Sequence, residues 1–494
     1  MNVGMNIIER DSADAARVVP SDIFSMGMAF TSRRGPVDVA VPIYNPTDDK
    51  KVFGEYGSSY LGGFMRRGLY ANCREFGATV WGGRVIGASG SVSATKTFND
   101  ATKGSWVFTS GWYGHPSPGA DGCNVYIEIK VNVADANKRD VIVSYKGPKD
   151  FAPVMKEVHE YLDNTSVVNE FLKKSGWVIC ALATGATTVP VVAAQTALLG
   201  GLDGIAPTDS DYIAAYSRFN GINIPLIMNA DLHAIASAQS LQTYVEGLGV
   251  AIGLIASPQA ASITTLASTY APLLKSKSYL VGTRGWGNVD DENGGVIAIP
   301  MMAHAVGAAW IRKCVQRGGF PWIAPAGDTT ALRDVYELEF PFYSATDVNN
   351  SVAAGFNPVQ WVQGKGFIVR TSRTFSTLRK HYSAHVRRMT NWMIASFQGS
   401  FMWLEQEPPV KKTYDKLSDS LTFFAQDVYK NGGLNTRGGY ENNAKVKCDE
   451  ENNTQEIADN GGIVADFSFH PVEAIESGTI NIFQTRDDLK VTEK

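Results

Sequence analysis

The 494-residue chain carries 45 basic and 49 acidic side chains, for a net charge of −4, and 44% of its residues are hydrophobic. It is too long for a single hydrophobic core, so about two to four domains are expected, and its charge balance gives no whole-chain reason to expect nucleic-acid binding. No apolar run reaches the roughly 18 residues of a membrane span, and the opening MNVGMNIIERDSAD has no basic stretch ahead of an apolar core, so neither a membrane segment nor a signal peptide is read.

Residues 1–22 form a polar lead with an apolar patch at Val3, Met5, Ile7 and Ile8. Phe24, Met26, Met28 and Phe30 then alternate with small or polar residues, which predicts a strand ended by the turn RRGP. A helix around Tyr60–Ala71 and a strand over Ala78–Val85 complete a β-α-β unit. From about residue 88 to 120 the composition shifts to Gly, Ser, Thr and Asn and reads as loops or a boundary. Strands are expected at VYIEIKVN (125–132) and DVIVSY (140–145), followed by amphipathic helices around 153–162 and 167–174.

Between 196 and 345 helices and short apolar strands alternate. Thr208 to Asp211 has the T-x-x-D form of a helix start. INIPLIMN, VAIGLIAS and SYLVGT lie between helical patterns at 233–247 and 259–274, which implies a parallel sheet with helices on its faces. The remainder is α+β. Strand KGFIVRTS precedes a helix with Val386, Met389, Met393 and Phe397 on one face, and a second helix carries Leu417, Leu421, Phe424 and Val428 up to the NGG stop at 431–433. AKVKCD, GIVADFSFHP and TINIFQT read as closing strands; in the last, Ile480 and Ile482 point to one side and Phe483 to the other.

No arrangement of side chains in the sequence reads as an active site. His381 and His385 have i, i+4 spacing but lack the intervening Glu of H-E-x-x-H and sit among arginines and lysines. LLGGLDGIAP is neither G-x-G-x-x-G nor a P-loop, and no G-x-S-x-G occurs. The five cysteines are scattered without a C-x-x-C and read as thiols. No catalytic residue, cofactor or metal ligand is assigned.

Charge is segregated instead. Between Asp347 and Glu405 there are seven basic residues and no acidic one, whereas from Glu441 to Lys494 twelve acidic residues face five basic. Solvated faces of one domain would explain this, as would a nucleic-acid contact on the basic stretch. A third reading is a basic patch at Arg379, Lys380, Arg387 and Arg388 that meets the acidic surface of another copy, as head-to-tail assembly requires.

The order of motifs resembles the contractile tail sheath proteins of bacteriophages and related injection machines. Four collinear stretches carry the likeness: FTSRRGPVDVAVPI with KVFG; LLGGLDGIAPTDSDYIAAY; GGVIAIPMMAHAVGAAWIRKCVQRGGFPWIAPAGD; and the run from KGFIVRTSRTFS through Arg387-Arg388, QGSFMWLEQEPP and AKVKCDEENNT to GIVADFSFHPVEAIESGTINIFQT. WLEQEPP stands where the family commonly has Phe-Glu-Pro-Asn, and PVEAIE where it has Pro-Ala-Glu. About two thirds of the chain is covered.

The resemblance implies an N-terminal arm (1–22), a doubly wound, subtilisin-like α/β domain in two parts (23–95 and 196–345), an inserted outer β-rich domain (96–195) and a C-terminal α+β assembly domain (346–494). It further implies a non-enzymatic virion protein, made in a bacterial cytoplasm. Such a protein polymerises as stacked rings on an inner tail tube, between baseplate and tail terminator, and contracts to drive the tube through the host envelope, with no membrane insertion and no direct nucleic-acid contact. Strand exchange between copies would run through Val3, Met5, Ile7 and Ile8 and through Ile480, Ile482 and Phe483. The sheath of a tailocin-like particle is the alternative within this class, and an α/β hydrolase-like enzyme the alternative outside it.

Overall fold

A computed structural model describes residues 17–73, 76–100, 104–274 and 278–475. The chain builds a mixed α/β structure of several sheets. β1 (Met26–Thr31), β2 (Val41–Ile43), α1 (Leu61–Cys73) and β3 (Val80–Val85) come first, and β1 pairs in parallel with β3, the β-α-β unit expected from the alternation.

The segment that follows folds as its own β-rich module: β4 (Thr95–Asn99), β5 (Gly104–Trp112), β6 (Val125–Val131), β7 (Arg139–Tyr145), β8 (Val154–Leu162), α2 (Val167–Lys174), β9 (Val178–Leu182) and β10 (Ala193–Ala197). Its strands form two antiparallel sheets, ordered β8-β7-β6-β10 and β9-β5-β4. They enclose Trp106, Phe108, Ile127, Val141 and Phe171.

Two expectations fail in this module. The Gly/Ser/Thr-rich stretch is not mainly loop. Trp106 and Phe108 point inward from β5, and Phe108 meets Phe171 edge-on at 5.1 Å, so two aromatic residues hold a strand whose composition reads as turn. Residues 153–162 are a strand, not a helix. The register with β7 shifts between Met155 and Glu157 and again between His159 and Leu162, and such bulges replace the period-2 pattern with spacings that resemble a helix.

The chain then returns to the first sheet through α3 (Asp209–Ser217), β11 (Leu226–Asn229), α4 (Ile235–Leu248), β12 (Ile252–Ala256), β13 (Leu280–Arg284), β14 (Phe356–Val362) and β15 (Gly366–Val369). The eight strands run in the order β2-β3-β1-β11-β12-β13-β14-β15, parallel from β3 to β14 and antiparallel at both edges. The T-x-x-D start of α3 is present, with the Asp211 carboxylate accepting from the Thr208 backbone N–H at 2.7 Å. Each face of the sheet has its own core. Met26, Met28 and Phe30 join one with the helical segment 302–316, and Ala29, Ile227 and Ile255 join the other with Tyr216 and Leu241. α1 reaches segment 302–316 at Gly68, where a Cβ would lie 1.9 Å from the His304 ring, so only glycine permits that approach.

Two arginines fasten the module to the sheet. Arg84, 1% exposed, donates to the carbonyls of Ser32, Arg33, Gly35 and Pro118, the last at 2.6 Å across the junction. Burial lowers its pKa to about 10, yet the carbonyl cage holds the charge. Arg34 lies 3.6 Å over the Trp177 ring and donates to Lys51 O at 2.7 Å.

The last elements are α5 (Ala384–Ser400), α6 (Lys411–Lys430) and the antiparallel pair β16 (Ala444–Lys447) and β17 (Asp466–Phe469). Met389 and Met393 of α5 and Phe424 and Val428 of α6 are buried together, the faces expected from their spacing. α6 ends where Gly432 turns to φ +77° and Gly433 N–H donates to Val428 O at 2.9 Å.

Candidate assembly surface

The arginines that looked partner-facing are divided by the fold. Arg379 and Lys380 are exposed on a short 3₁₀ turn. Arg387 and Arg388 are 5% and 2% exposed, so they are not a surface patch on the chain described here. The correction has a clear cause: both guanidiniums have polar partners inside. Arg387 donates to Asn391 Oδ1 at 2.8 Å and to Tyr279 Oη at 2.9 Å. Arg388 donates to Trp310 O at 3.0 Å and to Ile23 O at 2.7 Å. His385 is buried beside them and burial lowers its pKa, while His381 is partly exposed. Val3, Met5, Ile7 and Ile8, like Ile480, Ile482 and Phe483, lie outside the described residues.

The Arg388–Ile23 bond is one rung of a ladder. Along α5, positions 388, 392, 396 and 400 recur every four residues and so share one face. Trp392 Nε1 donates to Ser21 O at 3.1 Å, Ser396 Oγ accepts from Ser21 N at 2.9 Å, and Ser400 Oγ accepts from Val19 N at 2.8 Å. The N-terminal lead is thereby strapped in extended form along the helix. The spacing Arg-x₃-Trp-x₃-Ser-x₃-Ser is visible in the sequence, but the partners of its two serines lie 375 and 381 positions earlier, so no local pattern announces the contact.

Beyond α6, β16 and β17 form a two-stranded sheet, so each strand keeps one edge without a strand partner among the described residues. Phe467 lies 5.5 Å from Phe397 and holds the pair on α5 and α6. Glu441, Asp449, Glu450, Glu451, Glu456, Asp459 and Asp466 are exposed around it. The pair is thus an acidic sheet with both edges open among the described residues. Four of the five free cysteines are buried and the fifth, Cys123, is partly so, as the scattered spacing suggested. Among the described residues, no group of three or more His, Cys, Asp or Glu side chains is placed to hold a metal, and no helix is long and apolar enough to cross a membrane.

No family model and no curated protein sequence matches the chain. Solved structures do. The sheath tail protein of Listeria innocua superimposes with a TM-score of 0.64 over 93% of this chain and 95% of its own, at 16% identity. The chain has the tail-sheath fold. The sheath tail protein of Desulfitobacterium hafniense gives a TM-score of 0.58 at 13% identity, covering 90% of this chain and 93% of that one. The sheath of an extracellular contractile injection system, in its contracted state, gives 0.60 at 14% identity over 98% of both chains. The likeness therefore spans the inserted module and the C-terminal layer as well as the central sheet.

Proposed function

We propose that this chain is the structural subunit of a contractile tail sheath. It polymerises with copies of itself as stacked rings around an inner tail tube, bounded by a baseplate and a tail terminator, and contracts to drive the tube through a cell envelope. The observation that carries this reading is the tail-sheath fold over nearly the whole chain. On this reading the eight-stranded α/β sheet is the family's subtilisin-like domain, and the work of contraction resides in the lattice, released by rigid-body repacking of subunits. No catalytic step is assigned.

The terminal segments 1–16 and 476–494 act as arms, adding strands to the open edges of the β16–β17 sheet in neighbouring copies. At about 0.5–1.5 kcal/mol net per hydrogen bond, a strand of four or five bonds contributes only a few kcal/mol per link, and repetition over the lattice makes the mesh strong. Arg379 and Lys380 are the remaining basic residues that can face the acidic hairpin of a neighbour. The likeness to the sheath of an extracellular contractile injection system equally favours the sheath of a tailocin-like particle. Negative-stain microscopy of the purified chain tests the proposal: striated tubes are expected, and discrete globules under all polymerising conditions would refute it.

A further inference from the structure

Among the described residues, an open groove of about 910 Å³ lies between the strapped lead and α6. It is lined by Val18 and Phe24 from the lead, by Trp322 and Trp392, and by Phe423 and Phe424 from α6. Phe423 is 59% exposed, large for an aromatic side chain. Exposed apolar concavities of this kind on a polymer-forming subunit invite association at the wrong time.

Arg17, the first residue described, itself lines this groove, so residues 1–16 begin at its rim. That segment carries the apolar patch Val3, Met5, Ile7 and Ile8, and residues 9–16 between the patch and the rim are charged, polar or small. Eight extended residues span at most about 28 Å, enough for the chain to turn and lay the patch back along the aromatic lining. A short tether gives the segment an effective concentration of order millimolar at its own groove. Copies in dilute solution cannot compete with that.

We infer that in the free subunit the groove is occupied by the chain's own residues 3–8, and that assembly exchanges this contact for one on a neighbour. The masking role rests on the sheath reading; the docking does not. The strap on α5 makes the arrangement workable, because it fixes the root of the segment at the groove whether the patch is docked or released.

The test uses the full-length chain at a dilution where it is monomeric, carrying Ile8→Cys with Phe423→Cys and treated with a short bismaleimide. Single-cysteine variants control for Cys123. A link within one chain is expected for most of the protein. Absence of that link overturns the inference, and a link formed only between chains overturns it too, by making a second copy the occupant. In parallel, Ile7→Asp with Ile8→Asp is expected to raise binding of a hydrophobic dye several-fold without change in the far-ultraviolet spectrum; unchanged dye binding counts against the docking. If unaltered protein forms no tubes, the sheath reading fails while the link still decides the groove; tubes without the link leave the sheath reading standing and remove only this inference.

Discussion

Arg388 shows how little a charged residue's type says about its place. In sequence it is one of seven cations in a stretch without a carboxylate, and a solvated or partner-facing role follows naturally. In the fold its guanidinium serves two backbone carbonyls, on Trp310 and Ile23, that nothing nearby in the chain could identify. Burial pulls its pKa down, but a guanidinium has ample margin to stay charged. Arg388→Ala is therefore expected to act on stability rather than on association. Two buried acceptors lose their donor, at about 1–3 kcal/mol each, and the urea midpoint of the monomer should fall with little change in slope. An unchanged midpoint would show that water replaces the side chain. The core pair Asp49–Arg66, 2.8 Å apart and almost wholly buried, makes the same point for carboxylates: burial raises the Asp49 pKa, while Arg66 and the Tyr56 hydroxyl oppose the shift.

Helices and parallel strands were legible wherever one period dominated: β11, β12 and β13 are short apolar runs, and α5 and α6 show clean 3.6-residue faces. β8 was not legible, because its bulges mimic helical spacing and its identity depends on pairing with β7. One consequence can be measured. His159, on β8, lies 3.2 Å from both Glu157 and Glu170. Burial lowers its pKa, but the hydrogen bonds to those carboxylates outweigh this and raise it above the ordinary 6.5. A raised cation pKa stabilises the fold in full below the unfolded value and ceases to as pH rises through the folded one. Thermal stability of the inserted module should therefore decline as pH climbs above about 6.5, and His159→Gln should flatten that slope. A parallel slope in the variant would remove His159 as its source.

For the assembled particle, the strap changes which truncation is informative. Residues 19–23 are tied to α5, so a deletion that includes them confounds folding with assembly. Removing residues 1–16 alone, or 479–494 alone, is expected to leave a folded monomer that no longer forms tubes. Tubes of normal length from either truncation would defeat the arm hypothesis, and a lowered melting temperature would show that the segment also supports its own subunit.

Periodicity, capping boxes and glycine stops are local, and they suffice to specify the α-β alternation and the two C-terminal helices, because each is set by contacts within a few residues. The alternation in turn implies a parallel sheet, although its pairings, such as Met26 with Leu226, join distant segments. The order of motifs along the chain also points to a tail sheath. The interior of Arg387 and Arg388, the carbonyl cage around Arg84, the strand at 154–162 and the strapping of residues 19–23 onto a helix about 375 positions later belong to another class. Each satisfies a polar group or pairs a strand through a partner distant in sequence, and such partners exist only once the chain has closed on itself.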